Sequence, residues 1–206
     1  MKYKNLTVSQ KGLSLIESAM VLAISAVIVS GVLYYYNHAQ ENRKLEEGIK
    51  QIQTIAASVN KLYTNSATTL KGTTGNNDIN KVVEAISAIS GISTTTEPGG
   101  AKVFTTPSGQ WVQFWVNNDT SMNNIYSLET QVQSVSSCIS YATLNMGTIM
   151  AGKTQVLVGS NVHSGNSNSG NSTNFSLSPS DASNACEKAG ENKKGNNIKI
   201  RYTLSY

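Results

Sequence analysis

The sequence predicts an α+β protein: a long N-terminal helix whose first half is membrane-spanning, its second half packed on an antiparallel β-sheet of about four to six strands. Three observations carry this. Residues 13–36 form an almost unbroken apolar run, LSLIESAMVLAISAVIVSGVLYYY. Residues 37–63 continue at helical periodicity with a single apolar stripe. The remainder, 64–206, alternates short apolar segments with Gly-, Pro-, Asn- and Ser-rich punctuation, as strands and turns do.

As a helix, residues 13–36 would be about 36 Å long, enough to cross a hydrocarbon core. Glu17 is the single charge in the run. Lys2, Lys4 and Lys11 precede it without an acid among them, which predicts a cytoplasmic N-terminus. Tyr34, Tyr35 and Tyr36 fall where an aromatic belt meets the outer headgroups. A conventional signal peptide fits worse, because its cleavage site needs small residues after the apolar region, and Tyr-Tyr-Tyr-Asn-His stands there. A carboxylate within a bilayer costs a few kcal/mol unless it reaches the surface, is protonated or finds a partner.

Beyond Tyr36 the apolar positions Leu45, Ile49, Ile52, Ala56, Val59 and Tyr63 follow at steps of three and four, with Glu46, Glu47, Lys50, Gln53 and Lys61 on other faces. No proline interrupts residues 13–63, so one helix of about fifty residues, about 75 Å long, is expected. Gly31 and Gly48 are its expected points of bending.

In the head, a polar loop to about Asn77 leads to a short helix capped by Asp78, running through Val82, Val83, Ile86 and Ile89, and stopped by Gly91. Lys102–Thr105 and Trp111–Asn117 flank a Pro107-Ser108-Gly109 turn and predict a hairpin. Ile125–Val132 and Lys153–Gly159 are further strands, with a helix carrying Cys138 between them. Asn161–Asn174 is low-complexity Ser/Asn/Gly and predicts a surface loop. A helix capped near Ser178 or Ser180 delivers Cys186, and the alternating Ile198, Ile200, Tyr202 and Leu204 close the sheet. Trp111, Phe114 and Trp115 are read as core packing for one strand face. A sugar-stacking platform is the competing reading, and an exposed Trp111 or Trp115 would favour an outside contact.

Charged residues make up only 14% of the chain, a surface-protein palette rich in Ser, Thr, Asn and Gly. Without the first twelve residues, 13 basic residues face 12 acidic ones, which gives no electrostatic reason to expect nucleic-acid binding. The two cysteines, Cys138 and Cys186, admit one intramolecular pairing, the default in an oxidising compartment; two separate buried thiols are the alternative. His38 and His163 have no Cys or carboxylate at ligand spacing, and no GxSxG, P-loop, HExxH or CxxC motif occurs. The expectation is no enzyme, no cofactor and no metal.

The segment Lys11-Gly12-Leu13-Ser14-Leu15-Ile16-Glu17 resembles the processing site of type IV prepilins. In that family a short basic leader ends in Gly, and Glu is fifth in the mature chain; cleavage after Gly12 makes Glu17 fifth here. A mature chain starting with Leu is similar to the type IVb class. KGLSLIESAMVLA, Cys138–Thr148 and Ser178–Cys186 resemble the bundlin branch of that family. The resemblance implies the type IV pilin fold, removal of residues 1–12 by a prepilin peptidase, and N-methylation of Leu13. It implies an inner-membrane precursor in a Gram-negative bacterium, passed by an assembly machinery into an extracellular fibre of identical subunits. Adhesion, autoaggregation and host colonisation would be the fibre's tasks, with pilus–pilus or host-cell contacts.

In such a fibre Glu17 of one subunit would meet the Leu13 amine of its neighbour and set the axial register. Tyr34 stands near the place where many type IV pilins carry a helix proline, leaving Gly31 to supply a bend. Two other readings compete: a pseudopilin of a type II secretion machine, and a membrane-tethered domain that never polymerises. The mature N-terminus discriminates the latter from the first two.

Overall fold

The computed structural model describes residues 14–64, 70, 75–116, 124–164, 175–192 and 197–206. Gly12, Leu13 and the rest of the expected leader lie outside the described residues, as does most of the polar loop expected before residue 77. The chain divides into two compact units, Met1–Arg43 and Lys44–Tyr206.

Helix α1, Leu15–Tyr63, contributes to both units without interruption. In the first unit its apolar side chains, Leu15 to Tyr36, are exposed on every side. A helix apolar all round is stable only where something other than water surrounds it. The hydroxyls of Ser18, Ser25 and Ser30 donate to carbonyls one turn back (Leu15, Val21 and Ala26) at 2.7–3.0 Å. These polar atoms are thus satisfied inside the helix and burden an apolar environment little.

In the second unit, Ile52, Ile55, Ala56 and Val59 of α1 are fully buried in one core with the sheet. The expected stripe is present, with Leu45, Ile49 and Tyr63 partly buried along its edge. Among the described residues the sheet has seven strands: β1 Thr94–Thr96, β2 Lys102–Thr105, β3 Trp111–Val116, β4 Ile125–Val132, β5 Met150–Val158, β6 Asn161–His163 and β7 Ile198–Ser205. Their spatial order is β1-β2-β3-β4-β7-β5-β6, antiparallel throughout. The chain's last strand therefore lies between β4 and β5, and its inward residues Ile198, Ile200, Tyr202 and Leu204 are all buried.

Seven strands exceed the four to six expected because the two edges, β1 and β6, are three-residue strands with mostly exposed side chains. Neither carries an apolar alternation, since an edge strand can be wetted on both faces. β6 also takes the first three residues of the segment expected to be a surface loop; residues 165–174 of it lie outside the described residues.

Helix α2, Asn76–Ser90, begins one turn earlier than Asp78 would allow as its cap. Gly75 holds the N-cap position and Asp78 lies in the first turn, where its charge still favours the helix dipole. Gly91 ends α2 at φ 72°, as expected. Along one face of α2, Asn76 donates to the Gly99 carbonyl at 3.1 Å. Asn80 donates to the Gly100 carbonyl at 2.8 Å and accepts the Lys102 amide at 2.7 Å. Glu84 pairs with Lys102. Four-residue spacing puts these three side chains on one ridge, which pins the β1–β2 turn.

Gly48 does not mark a break in α1. It is buried, and a Cβ there would collide with the hydroxyl of Tyr141. Its role is close approach between helix and head rather than bending. α1 also runs unbroken through Gly31.

Candidate assembly site

Glu17 sits in the first turn of α1, one turn beyond Ser14. The Ser14 amide donates to Glu17 Oε2 at 2.9 Å, and the Glu17 amide donates to Ser14 Oγ at 3.2 Å. This reciprocal pair is a capping box, which satisfies two of the donors a helix start leaves orphaned. The carboxylate is therefore held at the helix N-terminus, where the dipole also favours it. The S-x-x-E spacing of Ser14 and Glu17 is the signal for this box in the sequence. Gly12 and Leu13 lie outside the described residues.

The second group of predicted residues is brought together. Cys138 on α3, Val135–Ala142, and Cys186 on α4, Pro179–Glu191, form a disulfide with Cα atoms 5.9 Å apart. Each helix is started locally. Ser134 accepts from the Ser137 amide, and Ser178 accepts from the Asp181 amide, with Pro179 in the first turn. Both sulfurs belong to fully buried residues, so the bond joins two helices within the core of the head.

Beside Cys138, the α3 residue Tyr141 faces Gly48 and receives on its carbonyl the hydroxyl of Tyr202 at 2.7 Å. Burial pushes the Tyr141 hydroxyl up to about 12 and raises Tyr202 well above the ordinary tyrosine value of 10.0. Tyr126, whose hydroxyl donates to the Ala56 carbonyl, is raised by burial as well. A raised folded-state value means these phenols stabilise the fold fully below pH 10, and that stability is lost as pH rises toward and through 12. Stability measured by urea unfolding is therefore expected to be flat from pH 8 to about 9.5 and to fall steeply between roughly 10 and 12. A flat profile across that window would contradict the buried-phenol linkage.

The aromatic residues of β3 split between faces. Phe114 is buried and stacks on Tyr126 at 5.5 Å, whereas Trp111 is half-buried and Trp115 is 42% exposed on the other side of the sheet. Core packing thus accounts for Phe114 but not for Trp115. Among the described residues no group of three His, Cys, Asp or Glu side chains converges as a metal site.

The bundlin family model matches residues 37–205, the whole amphipathic half of α1 and nearly the whole head. The chain belongs to the bundlin family. It is 29% identical over 187 residues to the "Major structural subunit of bundle-forming pilus" of Escherichia coli O127:H6 (strain E2348/69 / EPEC), covering 90% of this chain and 92% of that protein. The same identity and coverage relate it to the major structural subunit of bundle-forming pilus of Escherichia coli O111:H-. The crystal structure of type IV b pilin from Salmonella typhi superposes with a TM-score of 0.51 at 15% identity, covering 77% of this chain and 98% of that one. At that identity the likeness establishes the fold: the bundlin-family head, with its long helix against an antiparallel sheet, is a type IVb pilin fold.

Proposed function

We propose that this chain is the major structural subunit of a type IVb pilus, made as a membrane-held precursor and polymerised through α1 into an extracellular fibre. Family membership over residues 37–205 supports the pilus-subunit role. The observation that carries polymerisation is the first half of α1, whose apolar residues from Leu15 to Tyr36 are exposed on all sides of the helix. Such a surface is compatible with lipid before assembly and with identical helices after it.

In this reading a prepilin peptidase cuts between Gly12 and Leu13 and methylates the Leu13 amine, and an inner-membrane machinery extracts the mature subunit. Cleavage places a cation one turn from Glu17, whose carboxylate the capping box already holds at the helix start. Within a fibre the same carboxylate offers its second oxygen and remaining lone pairs to the Leu13 amine of a neighbour. In an apolar core a mispaired charge is costly, so this match enforces the stagger of subunits. The disulfide-bounded region 138–186 belongs to the head that remains outside the helical core, where adhesion, autoaggregation and host contact would take place.

Mass spectrometry of fibres sheared from cells tests the reading. The expected N-terminus is methylated Leu13, and the Gly12→Asp precursor is expected to stay uncut in the inner membrane with no fibres on the cell. Fibres containing Met1 would overturn the processing step, and a membrane-retained mature chain without fibres would overturn the polymer.

A further inference from the structure

The sheet face turned away from the core carries chemistry that fibre formation does not use. Across β3, β4 and β7 its side chains align in rows: Gln113, Glu129 and Arg201 in one, Trp115, Ser127 and Thr203 in the next. Glu129 is only 2% exposed. Arg201 grips its Oε2 through Nε at 3.0 Å and Nη2 at 2.7 Å, and Lys199 reaches its Oε1 at 3.0 Å. The acid lies beneath and the cations outside it, with side chains 37% and 38% exposed, so the face presents positive charge to solvent. Arg201 uses one edge of its guanidinium on Glu129 and keeps Nη1 for an outside acceptor.

Beside these cations lies a shallow depression of roughly 350 Å³ lined by Trp115, Val116, Ser127, Gln155, Arg201 and Thr203. The side chains of Ser127, Gln155 and Thr203 make no hydrogen bond to any described residue, so their polar atoms are available. Lys199 sits over the Trp111 ring at 5.0 Å, which leaves Trp115 as the open aromatic surface.

We propose that this depression binds an acidic saccharide, its pyranose ring laid on Trp115 and its carboxylate on Arg201. An aromatic face accepts the apolar C–H side of a sugar ring, and amide and hydroxyl groups around it suit sugar hydroxyls. The positive sign of the face selects for a carboxylate, which a guanidinium fork recognises. Two cations on a nearly neutral head are too few to track a row of nucleic-acid phosphates.

The chain's two tryptophans, Trp111 and Trp115, both lie on this face, so tryptophan emission of the full-length chain in detergent reads it directly. Sialyllactose and trigalacturonate are expected to give a saturable change at roughly millimolar concentration, with lactose at least about tenfold weaker. Arg201→Lys keeps a cation on Glu129 but removes the fork, and is expected to weaken the acidic sugars about tenfold. Trp115→Ala, at an exposed position, is expected to abolish binding measured by calorimetry while the thermal unfolding of the chain is unchanged. A response to lactose equal to that of sialyllactose, a stronger response to an oligothymidylate, or no response to any probe would each overturn the proposal.

Discussion

Glu17→Ala and Glu17→Gln are both expected to lower the yield of sheared fibre at least about tenfold while cleavage after Gly12 continues. The pair separates two duties of one side chain. Glutamine can still accept the Ser14 amide and preserve the capping box, as Glu and Gln both serve at that position. It cannot neutralise an amine. Losing a cap costs about 1 kcal/mol, whereas an unpartnered charge in an apolar core costs several kcal/mol. Since about 1.4 kcal/mol is a factor of ten, the second loss is the one that stops assembly. Fibre yield by quantitative immunoblot, beside the mass of the cell-bound subunit, reads both steps. Wild-type yield from Glu17→Gln with a defect in Glu17→Ala would show that the glutamate acts only as a helix cap.

Cys186→Ser is expected to lower the stability of the head by about 4 kcal/mol, from the closure of a 48-residue separation between α3 and α4. Domains of this size are stable by only about 5–15 kcal/mol, so the loss is a large fraction of the total. The serine hydroxyl would also replace a sulfur in a fully buried site and leave Cys138 as a lone thiol. A drop in thermal midpoint of roughly 8–16 °C, measured on the full-length chain in detergent, is the expected reading. Subunit levels in the cell should fall with it, because proteolysis acts on the unfolded fraction. A shift under about 2 °C would mean that α3 and α4 hold their places without the bond.

The parts of the molecule legible in the sequence are those governed by local pattern. Leu45 to Tyr63 show their stripe because helical periodicity and core burial coincide. β7 was readable because its alternation matches the pleat of a half-buried strand. β1, Thr-Thr-Thr, was not readable, because its strand identity comes from pairing with β2 rather than from its own side chains. Gly48 looks like a helix weakness in one dimension and proves to be the space that Tyr141 fills. At the candidate assembly site, Ser14 and Glu17 stand three residues apart in plain view, and the Cys138–Cys186 pairing followed from there being two cysteines. The grip of Arg201 on Glu129, across 72 residues of sequence, left no local trace.

An apolar helix with one acid near its start, an amphipathic continuation, and a small mixed head with a single available disulfide are all written in the order of the residues. These follow from hydrophobicity and spacing, which act between near neighbours along the chain. Folding adds the outward face of β3 with a buried acid between two cations, the entry of β7 into the middle of the sheet, and the need for a glycine at position 48. Each of those depends on strand register and on close packing between segments far apart in sequence, and no short-range preference encodes them.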